Sequence, residues 1–110
     1  MTASPPDTAN RSSLEARWLA LTRQALPAVA AERRWPIRLD HCFQRVLLDN
    51  AFGGRWYDHV RDRPAYRAAP ADALARAVAL GEAVLAGTAD LPALNARSLA
   101  WRGKRQDAGT

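Results

Sequence analysis

Residues 35–50 read "WPIRLDHCFQRVLLDN", and the pattern of this stretch decides the fold. Pro36 disfavours helix at Trp35, so "RWPIRL" is an extended lead-in. Asp40 is a good N-cap for a helix from about 41 to 52, and Gly53-Gly54 supplies its C-terminal stop. At ~100° per residue, Phe43, Val46, Leu47 and Ala51 share one broad apolar face. Opposite them His41, Arg45 and Asp49 follow at i, i+4 and i+8, yet Leu48 and Phe52 share that arc. A helix apolar almost all round is a central helix. Its polar stripe must then lie partly under neighbouring chain, where each unpaired group costs ~1–3 kcal/mol.

The remaining elements build outward from this helix. Ser12 and Glu15 fit a capping box, and Leu14, Trp18, Leu21 and Ala25 recur at helical spacing, so a first helix is expected from about 13 to 26. Pro27 stops or kinks it. "RWYDHV" suits a short helical turn, and "RDRPAYRAAPAD", with two prolines, reads as a connection. A third long helix follows from about 71 to 86, between Pro70 and Gly87, with Leu74, Ala77, Val78, Gly81 and Leu85 on one face. Gly81 in that stripe costs helix propensity, which points to close approach of a neighbouring helix. A last helix spans about 91 to 102, with Pro92 in its first turn, Leu91, Leu94 and Trp101 inward, and Gly103 as its stop. No segment alternates apolar and polar residues as a strand would. The fold class is therefore all-α, a bundle of four to five short helices in a single domain at 12–103, after a disordered leader at 1–11 and before a flexible basic tail at 104–110.

A chain of 110 residues, 48% apolar and 25% charged, is long enough to bury its own core. No apolar run approaches the ~20 residues of a membrane span, and "MTASPPDTANRSS" lacks the basic and apolar regions of a secretory signal. The single cysteine, Cys42, excludes an internal disulfide and fits the cytoplasm. The net charge of +5 invites an anionic partner. Of the sixteen basic residues fifteen are Arg, however, interspersed with acids, and two dozen Ala beside them suggest a GC-rich coding genome. The one dense basic cluster, "WRGKR" at 101–105, offers Arg102, Lys104 and Arg105 to nucleic acid.

The polar stripe has two readings. In the structural one, Arg45 and Asp49 pair along the helix, with Arg38 or His59 completing a network that fixes how the helix meets "RWYDHV". In the functional one, Trp35, Trp56 and Tyr57 wall a cleft in which Arg38, Asp40, His41, Arg45, Asp49 and His59 surround a small polar or anionic ligand. Cys42, near the start of the helix, gains thiolate character from the helix end. His41, its sequence neighbour, is rotated ~100° away and is not a pre-aligned base for it. Metal binding has little support, because one Cys and two His cannot close a zinc site, and no nucleotide-binding loop is present. No cofactor is implied. Trp18, Trp35, Trp56 and Trp101 lie on four separate segments and read as core or interface anchors rather than a base-stacking platform.

The stretch "RWPIRLDHCFQRVLLDNAFGGRWYDHV" together with "LNARSLAWRGKR" resembles a small bacterial helical family with a W-P-x-R-x-D-H-C-F-x-R core and a C-terminal R-G-K-R, over about residues 33 to 105. Members of that group sometimes carry acetyltransferase or methyltransferase labels. Neither activity fits the residues here, since both folds need a sheet and a Gly-rich loop after a strand. The Pro-Cys-His-Arg motif of alkyl-accepting repair proteins is not matched by "HCFQR" either. The expectation is a small cytoplasmic binding or adaptor module presenting the central helix edge to a protein or a small polar or anionic ligand. The alternatives are a small transferase-like enzyme using Cys42 and His41, and a basic nucleic-acid-binding accessory protein.

Overall fold

Pro27 lies inside the first helical run of the chain rather than at its end. The computed structural model describes residues 7–103, with side chains from Arg11 onward. Helix α1 (Asp7–Ala20) passes into a π-helical stretch, Leu21–Ala25, and on into α2 (Leu26–Ala30), with right-handed helical backbone at each junction. The sequence expectation of a helix over 13–26 is corrected at both ends. The run begins at Asp7, so Ser12 and Glu15 lie within it, and Glu15 accepts from Arg11 Nε at 2.7 Å instead of closing a capping box.

The wide turn explains how the helix continues past proline. A proline ring collides with the carbonyl four residues back and removes one hydrogen bond of the ladder. In the π stretch the ladder shifts register, with Leu26 N donating to Leu21 O, five residues back. One extra residue in the turn displaces the obstructing carbonyl, so the chain keeps its helical course. Thr22, fully buried in this stretch, donates its hydroxyl to Trp18 O at 2.9 Å, a back-bond that also bends helices.

The other helices are α3 (Asp40–Phe52), the short α4 (Ala65–Ala68), α5 (Ala71–Ala86) and α6 (Leu91–Trp101); a 3₁₀ turn, Trp56–Asp58, follows α3. The described residues contain no strand, and the fold is all-α. Gly53 and Gly87 end α3 and α5 in the left-handed conformation, at φ 74° and 86°. At the start of α3 the expected cap is displaced by one residue. Leu39 holds the extended N-cap position and Asp40 is the first helical residue, its Oδ1 accepting from His41 N at 2.7 Å. Asp90 does cap α6, accepting from Ala93 N at 3.3 Å.

Helix α3 is central: it packs against α5, α6, the π stretch and the 3₁₀ turn. Its Phe43, Val46, Leu47 and Leu48 join Trp18, Leu21 and Leu26 from the first run, Leu74, Ala77 and Val84 from α5, and Leu91 from α6 in one core. Gly81 sits where α5 meets this core most closely. A Cβ there would stand 3.1 Å from Leu47 Cδ1 and 3.3 Å from Leu21 Cδ1, tighter than ordinary contact. Close helix approach is thus the reason for a glycine in mid-helix. Among the described residues no helix is long and apolar enough to cross a membrane.

Candidate functional site

The polar stripe of α3 divides into two parts. Asp49, in its C-terminal half, is 0% exposed and accepts four hydrogen bonds. Ser98 Oγ donates to Oδ2 at 2.6 Å, and Arg102 forks onto the carboxylate through Nε at 2.8 Å and Nη2 at 3.0 Å. Trp56 N donates to Oδ1 at 2.9 Å, which ties the 3₁₀ turn to the helix. A buried carboxylate with a bidentate guanidinium partner and no spare lone pair is a closed unit.

The Arg45–Asp49 pair expected from the i, i+4 spacing is not made. Arg45 instead donates through Nη1 to Ser98 Oγ at 2.8 Å and through Nη2 to Asn95 Oδ1 at 2.7 Å. The carboxylate is taken by Arg102, so the guanidinium of Arg45 is half-buried with neutral acceptors only. Burial pushes its pKa down, and Arg102 nearby pushes the same way, opposed by Cys42 and Asp49. It remains a cation at neutral pH, with donor capacity left over. Counting the buried and half-buried charges here, Arg45 and Arg102 against Asp49 alone, leaves one positive charge uncompensated.

That charge borders a cleft of about 240 Å³. The stripe supplies His41, Arg45 and the buried Leu48; the first helical run supplies Trp18 and Arg23. Across from them, Trp56 and the Arg63–Tyr66 segment complete the lining, together with Gln44. None of the described lining residues is acidic. The segment is held in place from two sides: Arg63 lies over the Trp56 ring at 4.9 Å, and Arg11 Nη2 donates to the carbonyls of Tyr66 and Arg67 at 2.7 and 2.9 Å.

Trp18 carries the one buried side-chain donor left without a partner among the described residues. The residue is 0% exposed, and its indole Nε1 has no hydrogen-bond partner among the described residues. A buried donor of this kind is uncommon and costs about 1–3 kcal/mol. Its surroundings are otherwise satisfied, since Gln44 Nε2 donates to Thr22 Oγ1 at 3.0 Å and Thr22 closes onto the Trp18 carbonyl.

Several residues expected at one cleft lie elsewhere. Trp35 packs edge-on against Phe43 at 5.8 Å, with Arg33 over its ring at 5.3 Å, and does not border the cleft. Tyr57 is exposed beneath Arg55 and Arg102, whose guanidinium carbons lie 5.5 and 5.0 Å from its ring centre. His59 stacks on Phe52 at 4.9 Å and an interplanar angle of 8°, and Arg38 is exposed. Asp40 stays at the helix start beside His41, with Oδ1 3.6 Å from Nδ1. Asp49 is interior and cannot face a ligand. Cys42 is half-buried and lies against Arg45 without lining the cleft. Arg102, expected to contact nucleic acid, is held by Asp49; Lys104 and Arg105 lie outside the described residues.

Trp18, Arg23, Gln44, Arg63 and Tyr66 were not singled out from the sequence as site residues. Pro27 inside a helical periodicity was the available signal for the π stretch that follows α1. No local signal fixes which face the "RDRPAYR" connection covers. Comparison of the chain with protein-family models, with curated proteins and with solved structures finds no match.

Proposed function

We propose that this chain is a small helical binding module whose cleft, between the first helical run, the N-terminal half of α3 and the Arg63–Tyr66 segment, takes a small anionic ligand. The observation that carries this reading is the charge balance around Arg45: a half-buried guanidinium on neutral acceptors, facing a cleft that Arg23 and Arg63 make more positive. An anion there relieves the uncompensated charge and uses donors that the fold leaves spare. A cytoplasmic setting accompanies the reading, supported by a lone cysteine and no disulfide.

The transferase-like alternative gains no support, because Cys42 is not among the residues that line the cleft and the His41 side chain is 74% exposed. The test is thermal unfolding in a panel of small anions at fixed ionic strength, on the wild type and on Arg45→Met, which keeps an apolar stem. At least one anion should raise the wild-type midpoint and leave the variant's unchanged. Equal responses in the two proteins would refute an anion site at Arg45.

A further inference from the structure

The lining of the cleft narrows the ligand further, on the premise that the cleft is an anion site. Beside its cations the surface is apolar and aromatic, formed by Trp56 and Tyr66 with Pro64 and Ala65 over the buried Trp18 and Leu48. An inorganic ion would leave that surface uncovered. The cleft, of about 240 Å³, is smaller than the roughly 300–1,000 Å³ of sites for drug-sized molecules, which suits a small acid of about ten non-hydrogen atoms.

The charge of the ligand follows from the same inventory. Arg45, Arg102 and Asp49 form one hydrogen-bonded group through Ser98, and its net charge is a single positive unit. The other cations of the cleft, Arg23 and Arg63, are exposed and already screened by solvent. One negative charge balances the half-buried part, and a second would be set against solvent-facing groups alone. The planar fork of an arginine matches the planar oxygens of a carboxylate.

We infer that the cleft takes a small monocarboxylate with a flat apolar body, its carboxylate on Arg45 and its body against Trp56 and Tyr66. The apolar surface gives affinity, and the single guanidinium gives selection for one negative charge. Affinity for so small a molecule lies in about the high-micromolar to millimolar Kd range.

The experiment titrates the full-length wild-type protein, by calorimetry and by tryptophan fluorescence, with benzoate, acetate, benzyl alcohol, phenyl phosphate and inorganic phosphate. Benzoate should bind at least about tenfold more tightly than each of the other four, a difference of about 1.4 kcal/mol. Arg45→Met should lose benzoate binding by a similar factor. The probe series on the wild type stands whether or not that variant folds. Tighter binding of either phosphate compound overturns the carboxylate assignment and leaves the anion-site reading intact. Acetate matching benzoate overturns the apolar body and likewise leaves the anion site. Benzyl alcohol matching benzoate, or no binding by any probe, overturns both.

Discussion

Two ends of one helix face make opposite use of charge. At Asp49 a carboxylate is fully buried and every lone pair is engaged, by Ser98, by both arms of Arg102 and by the Trp56 amide. One turn earlier Arg45 is half-buried, has only neutral acceptors, and borders open space lined with further cations. Both lie on the stripe formed by every fourth residue from His41. A polar stripe on a central helix is therefore not one feature, and what separates scaffold from site is which groups are left with unspent bonding capacity.

The two parts are also connected. Asp49 holds the Trp56 amide, and Trp56 is a wall of the cleft, so the closed network places part of the open one. Ser98 stands between them, accepting from Arg45 and donating to Asp49.

The largest effect expected is at Asp49. Asp49→Ala leaves the Arg102 guanidinium part-buried without its counter-charge and strands the Trp56 amide, for a loss of about 3–5 kcal/mol in urea or guanidinium unfolding. A loss below about 1 kcal/mol would mean the pair is no more than a surface bridge, and the contrast with Arg45 would fail. Gly81→Val tests whether the core beneath both regions is as tight as its contacts imply. The added methyl groups meet Leu47 and Leu21, and the expected destabilisation is about 1–3 kcal/mol.

Arg45→Met sharpens the comparison from the other side. It strands the Asn95 and Ser98 acceptors but also removes a desolvated charge, so its stability cost should be about 1 kcal/mol or less, while anion binding is lost. His41→Ala, at an exposed position, should change stability by no more than about 0.5 kcal/mol.

Asp72 supplies the surface baseline. Its hydrogen bond from Arg76 lowers its carboxyl pKa below the usual value, and the pair is exposed. A carboxyl depressed in the folded state adds stability above its unfolded pKa and loses it as pH falls through the folded value. The difference between wild type and Asp72→Asn should therefore be small at neutral pH and vanish in acid, as followed by thermal unfolding across pH. A difference that grew on acidification would contradict that sign.

Much of the fold was legible because its punctuation is local. Gly53, Gly87 and the Pro70 and Pro92 positions mark the bounds of α3, α5 and α6 to within a residue, and Gly81 marks the close contact. The first helical run starts earlier than expected because Ser12 and Glu15 lie within it rather than capping it, and ends later because the π stretch carries the ladder past Pro27. The candidate site was half legible. His41, Arg45 and Trp56 follow from the periodicity of α3 and the aromatic turn after it. Asp49 was read with the wrong partner because spacing reveals a neighbour four residues away and is silent about Arg102, 53 residues away. Trp18 reads as core from the sequence and is core in the fold, but spacing does not reveal that its indole nitrogen is left without a partner.

The most direct test is urea unfolding of the wild type, Asp49→Asn and Arg45→Met, each with and without benzoate. Asp49→Asn should be markedly less stable than wild type yet keep the stabilisation that benzoate gives, while Arg45→Met should stay near wild-type stability and lose it. If Arg45→Met keeps the benzoate increment, or Asp49→Asn is as stable as wild type, the division of the stripe into scaffold and site is wrong.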